Sequence, residues 1–122
     1  METLGACGVA TSSANNPDSN AIAKSLPVFD ATTSLATRQA FQKVLEATGP
    51  TMPYVLSGAA DLTGNTGSKL TGTVPFSSSH REGKQIYYGI REHAMGAAMV
   101  GMALHGGVLP VGGTFFVFAD YM

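Results

Sequence analysis

Charge is scarce in this chain. Only 12% of its 122 residues are Asp, Glu, Lys or Arg, where a globular chain carries about 25%. A domain of this length has much surface to cover with polar groups, so the shortage predicts that another surface covers part of it. The net charge of −1 and the lack of any basic run exclude nucleic-acid binding by charge. The single cysteine, Cys7, excludes an internal disulfide and a cysteine-cluster zinc site. No apolar stretch reaches the roughly 18 residues that a transmembrane helix needs, and Met1-Glu2-Thr3-Leu4 lacks the basic start of a signal peptide. These absences describe one small domain in a soluble, cytoplasmic chain that binds no membrane. No phosphate loop, nucleophile elbow or dinucleotide fingerprint is present, and His80, His93 and His105 have no metal-ligand spacing.

What is there falls into two parts. Residues 1–30 read as a linker or disordered arm, because Thr11 to Asn20 are polar and turn-rich and offer little to bury. Residues 31–122 read as an α/β unit. Leu35, Phe41, Val44 and Leu45 predict a helix over about 34–47, capped by Thr33 or Ser34 and stopped by Gly49-Pro50. Tyr54-Val55-Leu56 predicts a buried strand running into small residues and Asp61, the pattern of a ligand-facing loop at a strand's carboxyl end. Residues 63–83 read as a loop long enough to be functional or disordered. Gln85 to Gly89 then predicts a strand, Arg91 to Leu104 a helix ended by Gly106-Gly107, and Val108 to Val111 another strand. That succession implies a parallel sheet. The helix is almost without polar groups after His93, so it is expected to be buried all round or to lie at an interface. Its glycines are expected to admit the close approach of another backbone, since each costs roughly 1 kcal/mol against alanine. The aromatic run from Thr114 to Tyr121 ends without a turn, cap or polar tail, which reads as a fragment or one half of an obligate assembly.

Two carboxylates are candidates for chemistry. Glu92 stands in the first turn of a helix directly after a strand, so it either complements the helix dipole or faces a crevice. The helix end favours the ionised carboxylate and burial the protonated acid. Burial is the larger effect, so a buried Glu92 would be a proton donor near neutral pH. Asp61 is a turn or cap residue, or a second group facing that crevice. Arg38 is a surface charge or a phosphate contact. His80 reads as a solvated loop residue, and His93 and His105 as packed helix residues. Phe115, Phe116, Phe118 and Tyr121 are core or a ring pocket.

Several blocks of the chain together resemble transketolase. Tyr88-Gly89-Ile90-Arg91-Glu92-His93-Ala94-Met95-Gly96-Ala97 is similar to that family's glutamate block. Leu104-His105-Gly106-Gly107 with Gly112-Gly113-Thr114-Phe115, and Phe118-Ala119-Asp120-Tyr121, resemble the segments that follow it. Ser57-Gly58-Ala59-Ala60-Asp61-Leu62-Thr63 and Leu35-Ala36-Thr37-Arg38-Gln39-Ala40 resemble those before it. The blocks keep the family's order over about residues 35–122. They depart from it at Ala59, where Gly or Ser is usual, and in Gly64-Asn65-Thr66-Gly67, where Asn65 is a candidate replacement for a phosphate-contacting serine.

The resemblance implies part of a three-layer αβα domain that binds the pyrimidine ring of thiamine diphosphate. The enzyme would move a two-carbon ketol unit from a ketose phosphate to an aldose phosphate. The position matching Glu92 hydrogen-bonds N1′ of the aminopyrimidine, favouring the tautomer whose 4′ nitrogen takes the thiazolium C2 proton. Positions matching Phe115, Phe118 and Tyr121 form the aromatic pocket, that matching Asp61 faces the cofactor, and that matching Arg38 contacts the sugar phosphate. The resemblance also implies that β-structure ends near Thr114 and a helix starts among the phenylalanines. Mg2+ would be held by a diphosphate-binding domain, not by these residues. Partners would be sugar phosphates and either a second copy of the full-length enzyme or a complementary diphosphate-binding chain. With half a site, the isolated chain is expected to be inactive; the alternative is a non-catalytic dimerisation module.

Overall fold

The computed structural model describes residues 18–122. Cys7 and most of the polar arm lie outside the described residues. Within the expected arm, Ser19–Ser25 forms a short helix, α1. It starts because the Asp18 carboxylate accepts from the backbone N–H groups of Asn20 and Ala21, at 3.0 and 3.3 Å.

The second helix, α2, spans Thr37–Thr48 and starts three residues later than the sequence predicts. Neither Thr33 nor Ser34 caps it. Ala36 occupies the cap position, and the Gln39 side-chain oxygen accepts from the Ala36 N–H at 3.0 Å, half of a capping box made without a capping hydroxyl. Gly49 ends α2, and Pro50 follows within a one-turn 3-10 helix, Gly49–Thr51. Strand β1, Val55–Ala59, runs further than the apolar triplet because Ser57 and Gly58 belong to it. The segment expected as one long loop opens with a single helical turn, α3, Thr63–Thr66, closed by Gly67 in the left-handed conformation. Strand β2 covers Gln85–Tyr87, helix α4 Glu92–His105 and strand β3 Leu109–Gly113. A six-residue 3-10 helix, Phe116–Tyr121, follows, as the resemblance implies and against the strand that aromatic content alone suggests.

The strands form one parallel sheet in the order β2-β1-β3. Side chains alternate across it, and register decides which layer each meets. Val55 and Ser57 pair with Leu109 and Val111. Their face carries the apolar core of Leu45, Val55 and Leu70, with Met52, Tyr54 and Val111 against it. Gly113, on the same face, lies against Thr66 and Ser68. Gly58 pairs with Gly112 on the opposite face, where the Met95 and Met99 sulfurs cover Gly112. Helices α2 and α3 thus lie on one side of the sheet and α4 on the other, giving the three layers expected. The central strand is covered on both faces: Val55 and Ala59 on one are 1% and 0% exposed, and Gly58 on the other is buried.

Two polar side chains tie that core together, although Tyr54 OH, Thr63 Oγ1 and Gln85 Nε2 are buried without a partner. Ser57 Oγ donates to the Ser68 carbonyl at 2.6 Å, and the buried Gln85 Oε1 accepts from the Leu70 N–H at 2.8 Å. Gln85 thereby fastens residues 68–75 to β2 across an otherwise irregular segment.

Helix α4 is not buried all round, which corrects one of the two alternatives expected for it and leaves the other, a place at an interface. Met95 alone is buried, while Val100 and Leu104 are 60% and 83% exposed. Nor does a second backbone approach its glycines: a Cβ at Gly101 would meet nothing within 4 Å, and one at Gly96 only the Met122 side chain. The apolar outer face is therefore uncovered among the described residues. Among them, no helix is long and apolar enough to cross a membrane.

Candidate functional site

The carboxyl ends of all three strands deliver residues to one cleft, the usual place for ligands in a parallel sheet. Beyond β1 the chain turns at Asp61, which has φ 61°, the only positive φ at a non-glycine among the described residues. Asp tolerates this left-handed conformation better than most residues. The turn is held from behind by the Ala60 N–H, which donates to the Gly113 carbonyl at 3.2 Å. Beyond β2, Gly89 (φ 69°) turns the chain into α4, whose first residue is Glu92. Beyond β3, the 3-10 helix presents Phe118 and Tyr121. Residues three apart eclipse on such a helix, so the two rings share a face.

These groups meet in a cleft of about 500 Å³ lined by Ala60, Asp61, Leu62, Ile90, Glu92, Phe118 and Tyr121. Four of the side chains, Asp61, Glu92, Phe118 and Tyr121, are acidic or aromatic groups that the sequence singles out, brought together from positions up to 60 residues apart. Glu92 is half-buried and is the first residue of α4. The full burial considered from sequence is absent in this chain alone. The rim is open: Ile90, Tyr121 and the neighbouring Phe116 are 78%, 66% and 94% exposed.

Phe115 goes elsewhere. It precedes the 3-10 helix in extended conformation (φ −74°, ψ 144°), so it does not share the face of Phe118 and Tyr121. Instead it lines a hollow of about 420 Å³ with Arg38, Gln39, Gln42, Gly64, Asn65 and Gly67. Arg38 and Asn65, assigned separately from sequence, are thus brought to one place. The contact depends on Gly67, which sits over the Arg38 carbonyl and the Gln42 side chain. The guanidinium of Arg38 and the carboxamides around it suit an anionic group. Sequence reasoning missed Gln39 and Gln42; for Gln42 the spacing of four after Arg38 on one helix was the available signal. It also missed Ile90 and Leu62, apolar liners that no local pattern marks.

The histidines divide differently from the expectation. His80 is a solvated loop residue whose Nδ1 lies 3.1 Å from the Glu82 carboxylate. A hydrogen bond from the Glu82 backbone N–H, with help from the His80 ring, holds the Glu82 carboxyl below the usual range. His93 and His105 are exposed on α4, not packed. Burial raises the Tyr88 phenol, whose ring lies against Gly58, above its ordinary value.

Residues 33–122 match the model of the transketolase pyrimidine-binding domain. A transketolase of Rhodobacter capsulatus is 50% identical over 92 residues, 75% of this chain and 14% of that protein. Among solved structures, a transketolase from Leishmania mexicana superposes with a TM-score of 0.79 at 37% identity, over 86% of this chain and 15% of that one. A Pichia stipitis transketolase solved in complex with sedoheptulose-7-phosphate has a TM-score of 0.76 at 40% identity, over 82% of this chain and 16% of that one. The chain thus spans about one seventh of the length of these relatives.

Proposed function

The chain belongs to the transketolase family through its pyrimidine-binding domain, and from that premise we propose that it forms the pyrimidine half of a thiamine diphosphate site. The whole enzyme would transfer a two-carbon ketol unit from a ketose phosphate to an aldose phosphate. The observation that carries this reading is the convergence of Glu92, Phe118 and Tyr121 on one cleft.

The residues fit the cofactor's ring. A flat, polar heteroaromatic group needs aromatic side chains beside its plane and a carboxyl group at a ring nitrogen. Phe118 and Tyr121 supply the first and Glu92 the second. Bound thiamine diphosphate supplies the acidic carbon and the electron sink for the transfer; the protein supplies orientation and proton control. Glu92 holds a proton at the ring nitrogen N1′. Asp61 faces the same ring from the end of β1. Arg38 and Asn65 bind the sugar phosphate in the neighbouring hollow, with Phe115 as its wall. Mg2+ falls to a diphosphate-binding domain, and no group of three metal-ligating side chains occurs among the described residues.

The open rim supports a site completed by a second surface, such as that of a partner subunit in a homodimer. The exposed apolar face of α4 supports the same reading. On this account the 122-residue chain alone is inactive.

Glu92→Gln in the complete enzyme tests the assignment. General acid–base groups contribute roughly 10²–10⁴-fold, so turnover should fall by that order while circular dichroism stays unchanged. Near-normal turnover would remove Glu92 from the mechanism.

A further inference from the structure

Arg91 stands beside Glu92 but does not line its cleft. Its side chain turns back instead, and Nη1 donates to the Tyr88 carbonyl at 3.0 Å. Its backbone N–H donates to the Gly89 carbonyl at 2.8 Å, and its carbonyl accepts from the Met95 N–H at 2.9 Å. The Tyr88 N–H in turn donates to the Ala59 carbonyl of β1 at 3.3 Å. One residue therefore ties the end of β2 to the first turn of α4 by three bonds.

Gly89 makes the clamp possible in two ways. Its φ of 69° bends the chain. Its missing side chain also leaves room for the guanidinium, since a Cβ there would lie 2.5 Å from Nη1. Arg91 is also the residue at the N-cap of α4, yet makes no side-chain cap. A Ser or Asp there would ordinarily bond the helix's free N–H groups; this side chain is committed to the elbow. The next residue is Glu92, so whatever fixes the elbow fixes the direction in which the carboxylate enters the cleft.

We propose that Arg91 is a positioning residue, clamping the Tyr88 carbonyl across Gly89 so that Glu92 meets the cofactor ring in a single orientation. This rests on the reading of Glu92 as the group that controls the ring proton. A shift of about 1 Å in such a group can cost on the order of 10²-fold. The guanidinium is exposed, so its removal should leave the fold's stability almost unchanged.

The test uses the full-length holoenzyme with R91M, R91K and E92Q. Two quantities are read: deuterium exchange at thiazolium C2 of bound thiamine diphosphate, and backbone amide exchange of Tyr88 to Glu92 in the apoenzyme. R91M should slow C2 exchange at least tenfold and speed elbow amide exchange, with Tm unchanged. R91K, which keeps a donor, should recover much of both. C2 exchange in R91M within twofold of the parent overturns the proposal, as does slowed C2 exchange with an unchanged elbow. If R91M does not fold, R91Q, too short to span to the Tyr88 carbonyl, takes its place and the same outcomes decide. E92Q separates the two ideas. Slow C2 exchange in E92Q beside normal R91M removes Arg91 alone; normal exchange in both removes the Glu92 reading itself.

Discussion

Gly67 holds the Arg38–Asn65 hollow together, and its replacement by alanine makes a quantitative test. Two costs add at this position. The backbone is left-handed, with φ 73°, and a Cβ there costs roughly 1–2 kcal/mol. The same Cβ would also lie 2.5 Å from the Arg38 carbonyl oxygen and 2.8 Å from the Gln42 Cβ. Neither atom is the free end of a flexible side chain, so α3 must move off α2. Forcing such atoms apart costs roughly 1–3 kcal/mol, giving a sum of roughly 2–5 kcal/mol. Two other glycines separate the costs. Gly72 has φ 74° but a Cβ there meets nothing within 4 Å, so Gly72→Ala should show the backbone cost alone, roughly 1–2 kcal/mol. Gly64 has neither problem and lies in α3, so Gly64→Ala should be neutral or stabilising by up to about 1 kcal/mol. Native-state hydrogen exchange of the β1 amides, among them Ser57 N–H bonded to the Lys84 carbonyl, reads the local stability. Gly67→Ala should speed it about 30-fold or more, ahead of Gly72→Ala, while Gly64→Ala leaves or slows it. Equal effects at Gly67 and Gly72 would show that the approach to the Arg38 carbonyl carries no cost, and the steric reasoning would fail.

Arg38→Ala in the complete enzyme should raise KM for phosphorylated sugars about 10- to 150-fold, the worth of roughly 1.5–3 kcal/mol for a charge-assisted hydrogen bond. Unphosphorylated substrates should be nearly unaffected, and steady-state kinetics with both kinds decide. Tyr88 governs an alkaline limit. Burial raises its folded phenol above the ordinary value of 10.0, so the unfolded chain loses this proton first as pH rises. The stability tied to it is complete below about pH 10 and is lost as pH climbs toward the folded value. Tyr88→Phe should flatten that alkaline loss in urea titrations at successive pH values; an unchanged slope would exclude Tyr88 as its source.

Local chemistry made the order of elements legible. The apolar spacing of Phe41, Val44 and Leu45 marked α2, Gly49-Pro50 its end, and Gly106 the end of α4. The small residues before Asp61 and the glycine before Glu92 marked two strand ends. Boundaries decided by side-chain bonds were harder to see. Ala36 starts α2 through Gln39, which no preference for capping residues foretells. The single turn of α3 rests on Gly67 fitting against α2.

The sequence by itself determined which residues are candidates for chemistry, because carboxylates, guanidinium groups and aromatic rings are set by residue type, while their protonation and reactivity are set by their surroundings. It also determined the β-α-β order, because helical and extended periodicities are local. Tertiary structure alone decided who meets whom. Register in a parallel sheet brought Asp61, Glu92, Phe118 and Tyr121 to one cleft. The change from extended chain to 3-10 helix at Phe115 sent that ring to Arg38 and Asn65 instead. Contacts between residues far apart in sequence follow from packing, and packing depends on every layer at once.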